Sequence, residues 1–255
     1  MAFIEPMNNS NEHQTWFVSW FDSPYYHLLY KDRNDSEAQN FLDALIQYLN
    51  PSPQAAILDM ACGRGRHAIY LSQKGFDVTG VDLAASSIAH AKQSSDNKVH
   101  FKVQDIREPD PTACYDVVLN LFTSFGYFED LNDNLRVLQA VRQALNPQGL
   151  FVMDFLHADR TIAKLVPFEQ KKIGGIPFQI KKRLEDKTII KTISFDVDGA
   201  QHQYEERVTA FSPDDLHTLF KKSGLTIIDT FGNYQLEPLN ANSDRLILVA
   251  KMSDQ

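Results

Sequence analysis

Strand-like runs and amphipathic helices alternate along the chain between residues 55 and 155. The short buried runs lie at residues 55–58, 76–81, 99–103, 116–120 and 150–155. Most of them are separated by helical stretches with one apolar face, such as residues 66–74 and 131–145. This spacing leaves room for the crossover connections that parallel strands need. The alternation therefore predicts a doubly wound α/β sheet with mostly parallel strands.

The pattern changes after residue 155. Between about residues 168 and 211, strand-like segments follow one another without helices, and Asp198-Gly199 is a two-residue hairpin signal. We therefore predict a small antiparallel β insertion at residues 165–211. A helix beginning near Ser212 and two closing strands then return the chain to the main sheet, which has seven strands in all.

The N-terminal segment, residues 1–35, is rich in aromatic side chains. They are Trp16, Phe17, Trp20, Phe21, Tyr25, Tyr26 and Tyr30. So many rings favour a segment that either lies across a core or covers a pocket. Ser36 then begins a helix, with Gln39 in the capping-box position. The predicted organisation is a lid segment at 1–35, one domain at 36–164 and 212–255, and the insertion at 165–211.

The strongest chemical signal is the turn after the first strand, Asp59-Met60-Ala61-Cys62-Gly63-Arg64-Gly65. Gly63 and Gly65 let the backbone turn tightly and approach a ligand. The helix that follows offers unpaired N–H groups. Asp82, at the end of the next strand, suits the two hydroxyl groups of a ribose. The motif therefore predicts a nucleoside-containing ligand.

Two ligands of this kind compete. The spacing Gly63-x-Gly65-x-x-Ala68 matches the dinucleotide fingerprint of nicotinamide-dependent oxidoreductases. The pyrophosphate of a dinucleotide is negative, however, and Asp59 at the strand end would repel it. A carboxylate there suits S-adenosylmethionine, which carries an ammonium and a sulfonium group and no phosphate. The residues favour S-adenosylmethionine and leave NAD as the alternative.

Asp59-x-x-x-Gly63-x-Gly65 together with Asp82 resembles motif I and the acidic loop of the class I S-adenosylmethionine-dependent methyltransferases. The likeness extends from Ile57 to Met252 and is strongest to small-molecule methyltransferases. It implies their Rossmann-like fold, in which the last two strands form a reversed hairpin at one edge of the sheet. It also implies S-adenosylmethionine as cofactor and a small-molecule methyl acceptor.

The resemblance implies cofactor contacts from strand ends and from the N-terminal segment. They are Tyr26, Tyr30, Arg33, Asp59, Ala61, Gly63, Gly65, Asp82, Leu83, Asp105, Ile106, Asn120 and Leu121. Within this set, Asp82 is expected to bind the ribose and Asp105 the adenine amino group. Backbone carbonyls of Asn120 and Leu121 are expected near the ammonium, and Arg33 is expected to pair with the carboxylate.

The reaction of this family is a direct in-line displacement at the methyl carbon. A general base is needed only when the acceptor arrives protonated. Tyr26, Tyr127 and His157 are candidates for that base, and the sequence does not choose among them. The run at residues 121–128 predicts one wall of the acceptor site. A module that binds the cofactor without catalysis remains an alternative.

The composition of the chain disfavours several classes of partner. The 255 residues include 33 acidic and 25 basic side chains, and the formal net charge of −8 disfavours a nucleic-acid partner. No apolar run is long enough to span a bilayer. Two cysteines without metal-ligand spacing favour a reducing cytoplasm and predict no metal site. We expect a cytoplasmic enzyme and leave open a homodimer formed through the insertion.

Overall fold

The computed structural model describes residues 16–31, 35–95, 98–108 and 110–253. The strands are β1 Ala56–Met60, β2 Asp77–Asp82, β3 Val99–Val103, β4 Tyr115–Asn120, β5 Leu145–Leu156, β6 Phe168–Ile173, β7 Ile176–Glu185, β8 Thr188–Val197, β9 Ala200–Thr209, β10 Leu225–Phe231 and β11 Arg245–Met252. The helices are α1 Trp16–Phe21, α2 Pro24–Leu29, α3 Asp35–Leu49, α4 Arg66–Gln73, α5 Ala85–Ser94, α6 Leu131–Ala144, α7 Ala158–Ala163 and α8 Pro213–Ser223. Arg33, a predicted cofactor contact, lies outside the described residues.

Seven strands form one sheet in the order β10-β11-β5-β4-β1-β2-β3. The neighbours from β5 to β3 run parallel, whereas β11 runs antiparallel to both β5 and β10. The direction of chain progression reverses between β1 and β4, and such a switch point leaves a crevice at the carboxyl ends of the strands. This topology confirms the predicted doubly wound, mostly parallel sheet with a reversed hairpin at one edge.

Helices cover both faces of this sheet because its strands carry apolar side chains on both faces. In β1, Ile57 faces one core, while Leu58 and Met60 face the other. Helices α6 and α8 cover the Leu58 side with residues that include Val137 and Leu216. Helices α3, α4 and α5 cover the Ile57 side. Because both faces are sealed, the strand ends are left as the place for a ligand.

Strands β6 to β9 form a separate antiparallel sheet, as predicted for the insertion. The turn between β8 and β9 is Asp198-Gly199, with φ of 50° and 79°. Two consecutive left-handed residues are what a two-residue hairpin requires, and this confirms the hairpin signal. Whether residues 165–211 fold as a unit of their own stays a prediction.

The N-terminal helices α1 and α2 pack on the second sheet. Trp16, Trp20 and Leu29 are buried in one cluster with residues of β7 and β8, among them Phe178 and Ile193. The aromatic segment therefore forms a core with the insertion, which is one of the two alternatives predicted for it.

Two helix ends differ from the prediction. Helix α3 begins at Asp35, so Ser36 lies in its first turn and is not the N-cap. Helix α6 ends at Ala144, because β5 starts directly at Leu145 and continues through residues 146–149, which lie between the predicted helix and the predicted strand. Helix α8 begins as predicted, with the side chain of Ser212 capping it.

No helix among the described residues is both long enough and apolar enough to cross a membrane. The described part of the chain also holds no group of three or more His, Cys, Asp or Glu side chains that could bind a metal ion. Cys62 and Cys114 are both free thiols.

Candidate active site

The turn between β1 and α4 contains several left-handed residues. Ala61, Gly63 and Gly65 have φ of 58°, 56° and 78°. The N–H of Gly65 donates to the carbonyl of Cys62 at 2.9 Å, and the N–H of Cys62 donates to the carbonyl of Val81 at 3.0 Å. The turn is therefore closed on itself and held against the carboxyl end of β2.

Asp82 connects this turn to the start of α5. Its Oδ2 accepts a hydrogen bond from the N–H of Gly63 at 2.7 Å, and its Oδ1 accepts one from the N–H of Ala84 at 2.8 Å. Burial raises the pKa of the carboxyl, and the two backbone hydrogen bonds act against that rise. Asp82 is thus held in place by the backbone on both sides of the crevice.

Asp59 lies beneath the turn, with 1% of its surface exposed. Burial and the nearby charge of Asp82 raise the pKa of Asp59 to about 7, although the N–H of Ala68 and the charge of Arg66 act in the opposite direction. Its Oδ2 has no hydrogen-bond partner among the described residues. A buried acid with a spare oxygen disfavours another negative charge nearby and favours a cation.

A cavity of about 330 Å³, here called the main cavity, lies at the carboxyl ends of β1, β2 and β4. Seven of the predicted residues line it: Tyr26, Tyr30, Ala61, Gly63, Asp82, Leu121 and Tyr127. Phe122 and Ser124 also line it and belong to the predicted acceptor wall at residues 121–128. The other lining residues were not predicted as contacts: Phe21, His27, Lys31, Asp35, Cys62, Arg64, Arg66, His67 and Ser87. The fold thus brings the N-terminal helices, the glycine turn and the loop after β4 to one place.

A second, smaller cavity adjoins the first. This aromatic cavity, of about 190 Å³, is lined by Trp16, Phe21, Tyr26, Tyr30, Phe122, Thr123, Tyr127, Glu206 and Val208. Five of these residues also line the main cavity: Phe21, Tyr26, Tyr30, Phe122 and Tyr127. The two cavities are therefore neighbours that share part of their lining.

Glu206, on β9, brings the one carboxylate among the residues that line the aromatic cavity. Its Oε1 accepts hydrogen bonds from Trp20 Nε1 at 2.8 Å and from the Tyr30 hydroxyl at 2.6 Å. Its Oε2 pairs with Lys191 Nζ at 3.2 Å, and Lys191 also donates to the Tyr30 hydroxyl. Burial lowers the pKa of Lys191. The insertion thus contributes a buried, hydrogen-bonded ion pair to the border of the site.

The loop after β4 is strained where it walls both cavities. Phe122 and Thr123 have φ of 56° and 61°, a region that β-branched residues such as Thr rarely adopt. The N–H of Phe122 donates to Oδ2 of Asp154 at 2.8 Å, and Arg245 joins Asp154 Oδ1 to the hydroxyl of Thr123. Asp154 is fully buried, and Tyr127 donates its hydroxyl proton to the carbonyl of Thr123. An ion pair between β5 and β11 therefore holds this wall.

Asp59 and Gly65 lie beneath the lining of the main cavity, and Gly65 packs against Phe101. Leu83 is 37% exposed, beside the crevice. Asn120 is buried at the end of β4, where its Nδ2 donates to the carbonyl of Ser124 at 3.2 Å. Contacts of these residues with the cofactor stay predictions.

Three further candidates are not among the residues that line the main cavity. Asp105 is bound by Arg107, whose Nη2 donates to Asp105 Oδ2 at 2.6 Å. Ile106 lines a separate small cavity behind β1. His157 caps α7, where its Nδ1 accepts from the N–H of Arg160 at 3.4 Å. The adenine contacts of Asp105 and Ile106 stay predictions, and the structure gives His157 a capping role.

A family model described as a methyltransferase domain matches residues 34–230 of the chain. The chain belongs to the class I S-adenosylmethionine-dependent methyltransferases. Its cofactor is S-adenosylmethionine, as the resemblance implied. The match decides against the nicotinamide-dependent oxidoreductase and against a module without catalytic activity.

Individual relatives agree with this assignment. The methyltransferase is 28% identical over 210 residues to the putative methyltransferase YqeM of Bacillus subtilis (strain 168), covering 77% of this chain and 84% of YqeM. It is 34% identical over 125 residues to a glycine/sarcosine N-methyltransferase of Halorhodospira halochloris, covering 47% of each chain. It shares its fold with S-adenosylmethionine-bound CalS10, an amino pentose methyltransferase from Micromonospora echinaspora, with a TM-score of 0.70, 17% identity and coverage of 91% and 98%.

The left-handed conformation of Ala61 predicts a stabilising substitution. Ala61→Gly is expected to raise the free energy of unfolding by about 0.5–1 kcal/mol, because glycine adopts positive φ without the clash of a Cβ atom. Urea unfolding measures the change. Ala89→Gly, at an exposed position in the middle of α5, is the control and is expected to lose about 1 kcal/mol. A loss of stability in Ala61→Gly would contradict the strain argument.

Proposed function

We propose that this methyltransferase methylates the nitrogen of a small amine bound in the aromatic cavity. The observation that carries the proposal is the combination of six aromatic rings with the carboxylate of Glu206, directly beside the main cavity. Aromatic faces and a carboxylate both attract a protonated amine. The name of the Halorhodospira halochloris relative, an N-methyltransferase, supports nitrogen as the acceptor atom.

The main cavity fits the cofactor. Ala61 and Gly63 supply an open turn for close backbone approach, Asp82 supplies a fixed carboxylate for the ribose, and the spare oxygen of Asp59 favours a positive charge above it. When bound, S-adenosylmethionine supplies a methyl group on a sulfonium, which leaves without help from a covalent enzyme intermediate. What the protein must then provide is alignment, which contributes roughly 7–11 kcal/mol in well-oriented reactions.

The walls shared by the two cavities provide that alignment. Tyr26, Phe122 and Tyr127 border both cavities, so an acceptor in one faces the contents of the other. The rings also exclude water from the reacting atoms. An amine must lose its proton before its lone pair can attack, and we assign the uptake of that proton to Glu206, the carboxylate that lines the aromatic cavity. Tyr127 is less suited to this role because its hydroxyl is bound to Thr123.

Label transfer tests the acceptor. The protein is incubated with S-adenosylmethionine carrying a labelled methyl group and with a panel of small amines, each matched by the alcohol of the same skeleton. We expect label in one or more amines and in none of the alcohols. Transfer to alcohols alone would reject nitrogen as the acceptor atom.

A pair of neighbouring residues provides a matched control for the site. Glu206→Gln is expected to reduce transfer to the amine at least tenfold, since the charge that attracts the amine and takes its proton is lost. Glu205→Gln removes a carboxylate whose Oε1 pairs with Thr192 and whose Oε2 pairs with Arg207, away from the aromatic cavity, and is expected to keep activity. If both variants lose methyl-transfer activity equally, the loss comes from a less stable insertion and not from the role of Glu206.

Asp82→Ala is expected to weaken cofactor binding by about 1.5–3 kcal/mol, the usual worth of a hydrogen bond to a charged group. The substitution also frees the N–H groups of Gly63 and Ala84. Calorimetric titration with S-adenosylhomocysteine measures the change. Asp77→Ala, at the exposed other end of β2, is the control. An unchanged dissociation constant for Asp82→Ala would remove Asp82 from the cofactor site.

A cytoplasmic location and a homodimer formed through the insertion also stay predictions. The free thiols of both cysteines agree with a reducing compartment.

A further inference from the structure

A third cavity lies beside the aromatic cavity, on the side of Glu206. This basic cavity, of about 360 Å³, lies between α7 and the second sheet, and its lining includes Arg160, Lys164, Lys182, Lys191, Ile189 and Val208. It shares Glu206 and Val208 with the aromatic cavity. A ligand that passes Glu206 therefore has room beyond it, on the same face of the insertion sheet.

The charge of the basic cavity contrasts with that of the whole chain. Four cationic side chains line it against two carboxylates, in a protein with a formal net charge of −8. Arg160 and Lys164 share the single carboxylate of Asp244, at 3.3 Å and 2.5 Å. Two cations on one carboxylate leave an excess positive charge at this end of the cavity.

A second pair of cations shares one carboxylate on the side of the cavity formed by the sheet. Lys182 Nζ lies 2.6 Å from Glu169 Oε1, and Lys171 Nζ lies 3.1 Å from Oε2 of the same side chain. Lys182 lines the cavity and Lys171 does not. Lys191 is balanced by Glu206 at 3.2 Å. Two clusters that each hold an excess positive charge therefore face a cavity whose apolar lining includes Ile189 and Val208.

We propose that the basic cavity binds an oxyanionic group carried by the methyl acceptor. The acceptor is then an elongated molecule with its amine in the aromatic cavity, an apolar middle over Val208, and a phosphate or carboxylate between Lys164 and Lys182. This inference rests on the proposed function for the position of the amine. Charge-assisted hydrogen bonds from the lysines give the site its preference for an anion.

Calorimetry with phenyl phosphate, in the presence of S-adenosylhomocysteine, tests the site without turnover. We expect phenyl phosphate to bind more tightly than either inorganic phosphate or benzyl alcohol, since only phenyl phosphate offers both an anion and an apolar ring. Lys182→Met is expected to weaken its binding about fivefold or more. Like Lys182→Met, Lys171→Met leaves Glu169 with one lysine partner. It removes a lysine that does not line the cavity, so we expect it to weaken the binding of phenyl phosphate less than Lys182→Met does.

Several results would overturn the proposal: no binding to the wild type, equal weakening in the two variants, or inorganic phosphate binding as tightly as phenyl phosphate. The last would indicate a site for a free anion. Thermal unfolding of both variants shows whether a loss comes from misfolding, and Lys164→Met provides a second probe at the other cluster. Failure of the amine proposal is seen separately, in the label-transfer assay.

Discussion

Gly65→Ala is expected to destabilise the fold by about 2–5 kcal/mol, combining a left-handed alanine with an overpacked core. Gly65 has φ of 78°, and a Cβ atom there would lie 2.7 Å from Cε1 of the Phe101 ring and 3.1 Å from Cβ of Ala91. Phe101 is buried and also packs against Gly80, where a Cβ atom would again lie 2.7 Å from Cε1. The ring therefore has little room to move away, and urea unfolding measures the loss.

Substitutions at two other glycines distinguish the cost of backbone strain from the cost of a steric clash. Gly75→Ala, with φ of 99° and nothing within 4 Å of the added Cβ, is expected to show the backbone strain alone. Gly63→Ala has the same open surroundings but lines the main cavity, so we expect modest destabilisation and weaker cofactor binding. Gly65→Ala with Phe101→Leu is expected to recover part of the loss. Equal stability of the Gly65 and Gly75 variants would contradict the packing argument.

Asp59→Asn is expected to stabilise the protein increasingly as the pH rises from 4 to 8. In the folded protein Asp59 keeps its proton up to about pH 7, whereas an unfolded chain releases it near pH 3.8. Folding therefore takes up a proton in this window, and the free energy of unfolding of the wild type falls as the pH rises. A pKa raised from 3.8 to about 7 corresponds to about 4 kcal/mol above pH 7. Asparagine keeps an acceptor for Ala68 without that penalty.

Urea unfolding at pH 4.5, 6 and 8 measures this gap between the variant and the wild type. Asp77→Asn, an exposed carboxyl at the start of the neighbouring strand, is the control and is expected to follow the wild-type profile. We also expect S-adenosylmethionine to bind the wild type more tightly as the pH rises through 7, because the ionised Asp59 attracts its positive charges, and Asp59→Asn to lose this dependence. If the difference in free energy of unfolding between Asp59→Asn and the wild type does not change with pH, Asp59 does not ionise within this pH range in the folded protein.

The sequence was sufficient for the architecture because its signals are local. The alternation of strands and helices, the hairpin at Asp198-Gly199 and the cap at Ser212 all depend on residues close together in the chain. The start of β5 was less predictable: the pattern indicated a helix at residues 131–145 and a strand at 150–155, yet β5 begins at Leu145 in a register that shifts beside β4. Tertiary pairing decides such a boundary, and local patterns do not report it.

The sequence predicted only those site residues whose positions follow from the strand order. Strand-end residues such as Gly63 and Asp82 follow from the topology and line the main cavity as expected. Glu206 and the Asp154–Arg245 pair did not emerge, because their partners lie far away in the chain: Arg245 is 91 positions from Asp154. A charged residue in an apolar strand, as Asp154 is in β5, was the one available signal. The family resemblance could supply the cofactor residues but not these contacts.

Helices α1 and α2 rest on the second sheet while their side chains border both the main and the aromatic cavities. If α1 and α2 move aside to admit the cofactor to the main cavity, their side chains also leave one wall of the aromatic cavity. We therefore expect compulsory-order kinetics, in which the nucleoside enters first and the amine second. Product inhibition by S-adenosylhomocysteine would then be competitive with the methyl donor alone.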